Sequence, residues 1–235
     1  MFTAQTLMSL LPLLTSLSVN LMVKLTERLM AVASLVRADC ALADVGCDHG
    51  FLPAYLIENG KIRSAVASDI NEGPLNSCRR LVDELGLDGR ITCVLSNGLQ
   101  GVDSQSVEDV SFCGMGGELI AQLMEETPWV KDERLHFIFN PMTHPEILRR
   151  WLCEKGFEIH KDFIVKEGRH YYSVFDAYYT GNCRNAGEAY YFLGNITDYT
   201  HKEYFRHLLN YLENKQRGGE DYSALIDKIK TVLGD

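Results

Sequence analysis

The chain contains no CxxC pair, no GxGxxG run, no internal repeat and no uninterrupted apolar stretch of the roughly 20 residues that cross a bilayer. Each absence removes a class of protein. Seven cysteines, an odd number scattered from Cys40 to Cys183, suit free thiols in a reducing cytoplasm better than a disulfide framework or a zinc site, so no metal is expected. Without GxGxxG, a pyrophosphate-bearing dinucleotide loses its usual cradle. The formal charge of −9 argues against a surface that is basic throughout, so a nucleic-acid partner would need a local basic patch. Charge is also missing from residues 1–21, but this leader lacks the basic start of a signal peptide and is interrupted by Pro12. Charged residues return at helical spacing with Lys24, Glu27 and Arg28, so Met22 is expected to be the native start and residues 1–21 an upstream extension. No membrane association is expected.

What is present is enough apolar material, 46% of 235 residues, for one substantial core and a small appendage. Leu25, Leu29, Val32, Ala33 and Val36 share one helical face, with Lys24, Arg28 and Arg37 left to face water and the helix set against the sheet edge. Strands are then expected at Ala41 to Val45, Ser64 to Ser68, Ile91 to Leu95, Val107 to Cys113 and Leu135 to Asn140. Helices at Pro53 to Glu58, Pro74 to Leu85 and Glu118 to Glu126 alternate with them, and another spans His144 to Lys155. Such alternation implies a parallel, doubly wound sheet. Phe157 to Val165 and Tyr171 to Tyr179 are joined without a helical crossover, so they must form an antiparallel hairpin. Residues 22–182 thus read as one Rossmann-like domain with a mostly parallel seven-stranded sheet. Gly181 to Gly187 is a polar boundary, and residues 183–235 read as a helical hairpin of Ile196 to Asn214 and Tyr222 to Leu233.

The chemistry concentrates where strands end. The first loop is Asp44-x-Gly46-Cys47-Asp48-His49-Gly50, and Asp69 ends the second strand 23 positions after Gly46. Glycines permit close backbone approach, and a carboxylate at Asp69 can accept both ribose hydroxyls of an adenosyl group. Asp44 and Asp48 would repel a pyrophosphate but favour a sulfonium and an α-amino group, so S-adenosylmethionine fits better than NAD. The alternative is a plain turn with Asp48 as a helix cap. Ile70 and Asn71 continue this segment, and Asn97-Gly98-Leu99 after the third strand would lie beside the adenine, with Leu99 or Ile70 on its face, unless Asn97-Gly98 is merely a turn pair. Gly114-Met115-Gly116-Gly117 after the fourth strand is expected where methyl group and acceptor meet, or else serves tight strand-to-helix packing. Asn140 can present donors and an acceptor to an exocyclic amine, whereas His144 reads as a solvent-facing residue at a helix start. Arg149 and Arg150 would serve phosphates or lie on an exposed helical face, and Lys161, Lys166, Arg169 and His170 add basic character to the hairpin.

Lys-Leu-Thr-Glu-Arg-Leu-Met-Ala-Val-Ala-Ser-Leu-Val at 24–36, Asp-Val-Gly-Cys-Asp-His-Gly-Phe-Leu-Pro at 44–53, Ala-Ser-Asp-Ile-Asn-Glu-Gly-Pro-Leu at 67–75, Gly-Met-Gly-Gly at 114–117 and Leu-Arg-Arg-Trp-Leu at 148–152 together resemble the TrmK family of bacterial tRNA adenine-N1 methyltransferases. The resemblance spans about residues 22–235, and the helical tail matches only in type. It implies a class I methyltransferase domain, a C-terminal helical hairpin, S-adenosylmethionine as donor and N1 of adenine 22 in the tRNA D-loop as acceptor. Cys47 and Gly50 depart from the small or alanine residues common there, and Asn140-Pro-Met from the usual Gln-Pro-Asn. On this reading Asp48 and Asn140 stabilise charge developing on the base. Arg149, Arg150, Lys166 and Arg169 grip tRNA; the oligomeric state is left open by the sequence, with a monomer favoured. A methyltransferase for a small molecule or protein would share every cofactor feature, as would an adenosyl-binding module without turnover.

Overall fold

In the computed structural model residues 23–219 and 221–234 are described, so the expectation of an upstream extension at residues 1–21 lies outside the described residues. Seven strands form one sheet in the order β3-β2-β1-β4-β5-β7-β6. Five are parallel: β1 (Ala41–Val45), β2 (Ser64–Asp69), β3 (Ile91–Leu95), β4 (Asp109–Cys113) and β5 (His136–Asn140). The hairpin β6 (Phe157–Glu167) and β7 (His170–Tyr179) adds antiparallel to β5, as the missing crossover required.

Period-2 alternation sorts the side chains to two faces. Leu42, Ala65, Ile138 and Val174 meet α1 (Glu27–Leu35), α2 (Phe51–Glu58) and α3 (Glu72–Leu85) on one side. Ala43, Phe112, Phe139 and Phe175 meet α4 (Gly117–Glu125) and α5 (Pro145–Glu154) on the other. Because β1 and β4 are buried on both faces, their sequences are continuous apolar runs broken only by Asp44, Asp109 and Ser111. Gly86, in the left-handed region at φ 65°, ends α3 as its position suggested.

Arg28 of the first helix and Arg37, two residues past its end, bond to groups of the sheet where the amphipathic pattern left both to water. Arg37 donates from Nε to Asp109 at 2.6 Å, because that fully buried carboxylate needs a countercharge. Arg28 turns inward and donates from Nη1 to Asn140 Oδ1 at 2.8 Å, while its backbone N–H donates to Glu167.

The tail differs from expectation at its start. A short helix α6 (Glu188–Leu193) precedes α7 (Lys202–Arg217) and α8 (Ser223–Leu233), so the expected helix from Ile196 begins six residues late. Gly194 at φ 60° stops α6, and the Asp198 carboxylate accepts the Thr200 N–H, a local turn that competes with helix over 195–200. Ile196 is nonetheless buried, packed as loop rather than helix. Phe205 and Leu212 of α7 and Leu225, Ile226 and Ile229 of α8 form the helical core, into which Ile164 of β6 also packs. Among the described residues no helix is long and apolar enough to cross a membrane, and no cluster of three or more His, Cys, Asp or Glu is placed to hold a metal ion.

Candidate active site

The carboxyl ends of β1 to β4 open into one crevice made of two cavities, about 410 and 90 Å³, that share Gly46, Asp48, Cys113 and Gly114 as walls. Gly46, at φ 73°, turns the chain out of β1, and the N–H groups of Gly46 and Cys47 both donate to Ser68 O at 2.8 and 2.9 Å. The first loop is thereby tied to the end of β2. A side chain at Gly46 would press on Met115, 3.2 Å from an ideal Cβ.

Asp69 ends β2 and is 8% exposed. Its Oδ1 accepts the Asn71 N–H at 2.8 Å and its Oδ2 the Asp48 N–H at 3.3 Å. Each oxygen keeps acceptor capacity, which suits a vicinal diol. Ile70 and Leu119, 62% and 44% exposed, line the same cavity with Asn71, Asn97 and Gly98, giving apolar surface and an amide for a planar base. Leu99 is not part of this wall. It is 1% exposed and packs in the core, and Leu119 and Leu123 line the slot instead.

The smaller cavity is lined by Asp44, Asp48, His49 and Arg28. Asp44 is 3% exposed and accepts the Ser111 hydroxyl at 2.7 Å. Burial pushes its carboxyl up to about 6, opposed by the Ser111 hydrogen bond and reinforced by the charge of Asp69. No ion pair to Asp44 occurs among the described residues. Asp48 adopts φ 51°, a conformation L-residues rarely hold, and its exposed carboxylate stands at the rim of both cavities, 3.6 Å from the His49 ring. Arg28 is the residue that sequence reasoning missed. Its Nε lies 3.8 Å from the Glu167 carboxylate, beyond hydrogen-bond reach, and its helix sets the guanidinium against this cavity.

Other expected contacts fall elsewhere. Gly50 does not line the crevice; a Cβ there would lie 2.4 Å from Cys78 Sγ, so it serves the packing of α2 on α3. Cys47 is buried beside the smaller cavity. Gly114 and Met115 line the crevice, but Gly116 and Gly117 face the β5–α5 loop, where a Cβ on Gly117 would lie 2.2 Å from His144 O. Asn140 is fully buried, with Oδ1 bound by Arg28 and Nδ2 donating to Ser173 O at 3.0 Å, so its amide has no spare reach toward an acceptor. It positions Arg28 and β7. Arg149 is likewise fully buried and unavailable to phosphate. Its guanidinium forms two hydrogen bonds to Asp162, at 3.0 and 2.9 Å, and also donates to Tyr191 O and Ser173 Oγ. A local helical pattern cannot show that this face meets β6 and α6. Arg150 reaches the surface, paired with Glu188 at 2.6 Å and stacked on Tyr191. Lys166 pairs with Glu203 at 3.4 Å, and Arg169 lines a third, larger cavity beyond the β5–α5 loop.

Residues 25–175 match the family described as a methyltransferase domain. The tRNA (adenine(22)-N(1))-methyltransferase of Bacillus subtilis (strain 168) is 31% identical over 171 residues, 70% of this chain and 72% of the relative. The chain belongs to this methyltransferase family. A candidate tRNA (m1A22) methyltransferase of Streptococcus pneumoniae, solved in complex with S-adenosyl-L-methionine, superposes with a TM-score of 0.79 at 30% identity, covering 89% of this chain and all of that one. The TrmK of M. capricolum, solved with S-adenosyl-homocysteine, gives 0.71 at 26% identity over 89% and 95% of the two chains. Members of the family thus bind the cofactor whose chemistry the two acids at β1 and β2 suit.

Proposed function

We propose that this chain transfers the methyl group of S-adenosylmethionine to N1 of adenine 22 in the D-loop of tRNA, acting as a monomer in the cytoplasm. The observation that carries the reading is Asp44: a carboxylate buried at the cost of a raised pKa, with no ion-pair partner among the described residues, in a crevice where a cationic ligand would relieve it. Membership of the family supplies the acceptor. When bound, the cofactor provides an electrophilic methyl on a positively charged sulfur. Asp69 would accept its ribose hydroxyls, Asn97 would hydrogen-bond its base, and Ile70 and Leu119 would cover the ring; all four line one cavity, which supports the reading. In the smaller cavity Asp44 suits the ammonium of the methionyl end and the Arg28 guanidinium suits its carboxylate.

N1 of adenine carries an in-plane lone pair on a neutral ring, so no base is needed to activate it. Positioning does most of the work. The product ring is cationic, and Asp48, held at the junction of the two cavities, stabilises that charge as it develops. An adenine stacked in folded tRNA must be splayed out to reach Gly114 and Met115.

The test is to incubate the purified protein with methyl-labelled cofactor and an unmodified tRNA transcript, then map the label by digestion and mass spectrometry. One 1-methyladenosine at position 22 is expected. A cofactor-binding protein that labels another position, or no tRNA, overturns the reading.

A further inference from the structure

A cavity of about 550 Å³ lies outside the cofactor crevice. It lies at the same edge of the sheet, one strand further on, between the β5–α5 loop, the start of β7 and the exposed side of α7. Its volume is in the range of sites for nucleotide-sized ligands. Its walls are rings: Tyr171, Tyr172, Tyr204 and Tyr211 with His170 and His207. The rings already contact one another at their edges, with Tyr171 to Tyr204, Tyr171 to His207 and His170 to Tyr172 each at 6.4 Å between centroids. Tyr211 and Met142 are among the few large apolar side chains left exposed, at 37% and 39%. Arg169 and three histidines line the cavity against one acid, Glu146, which is itself held by His144 Nδ1 at 3.1 Å. His144 sits at φ 52°, a costly conformation for a residue with a Cβ. In a chain of net charge −9, this is a local concentration of aromatic rings beside an arginine.

The cavity shares no lining residue with the crevice. Between them stand the two loops after β4 and β5, stitched by Met142 N–H to Met115 O and Gly117 N–H to Thr143 O, both at 2.8 Å. A base lodged here therefore cannot be the one that receives the methyl group at Gly114 and Met115. We infer that this cavity holds a second unstacked nucleobase of the substrate tRNA, a neighbour in sequence of the methyl acceptor, stacked on Tyr211 with its phosphate near Arg169. The inference rests on the tRNA methyltransferase reading. Splaying one nucleotide out of a folded loop frees its neighbour, and a ring-lined cavity beside the crevice holds the strand open.

The test uses the full-length protein and tRNA transcripts that carry an abasic site immediately 5′ or 3′ of the acceptor. Tyr211→Ala is expected to raise the KM for tRNA by roughly tenfold, the scale of one lost base–aromatic stack, and to leave the cofactor Kd unchanged, while losing the ring contact with Phe192 that Tyr211→Phe keeps. Tyr211→Phe keeps the ring and should restore the KM. One of the two abasic tRNAs should show the same loss with the unsubstituted protein and no further loss with Tyr211→Ala, as expected of partners in one contact. Penalties that multiply for both abasic positions, or an unchanged KM for Tyr211→Ala, overturn the inference while leaving the methyltransferase reading intact. That result would point instead to a protein partner at this surface. If the unsubstituted protein methylates no tRNA, the functional reading falls first, and this inference with it.

Discussion

Asp44→Asn should make the protein more stable and nearly abolish cofactor binding, two effects with one cause. The Asp44 carboxyl titrates at about 6 in the fold, against an ordinary value of 3.8, because burial penalises its charge. The native state thus binds more protons than the unfolded chain between about pH 4 and pH 6, and stability falls as pH rises through that window. Above it the ionised group costs about 3 kcal/mol. An amide keeps the shape and can still accept the Ser111 hydroxyl, so the substitution should recover much of that amount at pH 7.5 and none at pH 4, where Asp44 is already protonated. For a chain of this size the gain is at most roughly 6–12 °C in Tm. The cofactor, meanwhile, loses its buried countercharge. At an effective dielectric constant of about 20, a contact near 4 Å is worth about 4 kcal/mol, so Kd should rise by two to three orders of magnitude. Thermal melts of the cofactor-free protein from pH 4 to pH 8, paired with calorimetric titration of S-adenosylmethionine, read both effects. With the unsubstituted protein at pH 6, binding should also release protons, visible as a heat that depends on the buffer. A variant that melts lower at pH 7.5, or that binds cofactor undiminished, would refute the placement of a cationic ligand against Asp44.

Arg149→Ala should cost about 3–5 kcal/mol by stranding Asp162, whereas Arg149→Met with Asp162→Leu should cost less, its loss set by Tyr191 O, Ser173 Oγ and the Asn195 N–H left without partners; equal losses in denaturant melts would show that the pair is not the bolt between α5, β6 and α6. His136 is buried between Asp109 and Asp176, at 3.1 and 3.0 Å; burial works against its charge, but the two hydrogen-bonded carboxylates raise its pKa overall. Its contribution is fully present below about pH 6.5 and is lost as pH rises through the native value, so His136→Ala should be more costly at pH 6 than at pH 9 in urea unfolding. The same cost at both would mean that the imidazole is neutral throughout. Gly117→Ala places a Cβ 2.2 Å from His144 O and should cost about 1–3 kcal/mol and lower kcat/KM by parting the two acceptor-side loops, an effect that unaltered melts and kinetics would disprove.

The amino-acid sequence alone determined the layers and most of the cofactor crevice. Apolar runs separated by turn signals dictate strand and helix within a few residues; Asp44 and Asp69 lie at the ends of their strands and Gly46, Asp48, Asn97 and Gly114 within three residues beyond one, so placing the strand ends places them. Hairpin topology was equally local, because a short connection leaves no other option. Tertiary structure alone decided what each helix face meets. Arg28 and Asn140 are 112 positions apart and Arg149 and Tyr191 are 42 apart, and periodicity marks a face as polar without saying whether water, a carboxylate or a cofactor lies opposite. Gly116, Gly117 and Leu99 show the same limit in the other direction: Leu99 is turned into the core, and the two glycines are turned to the β5–α5 loop, by neighbours distant in sequence.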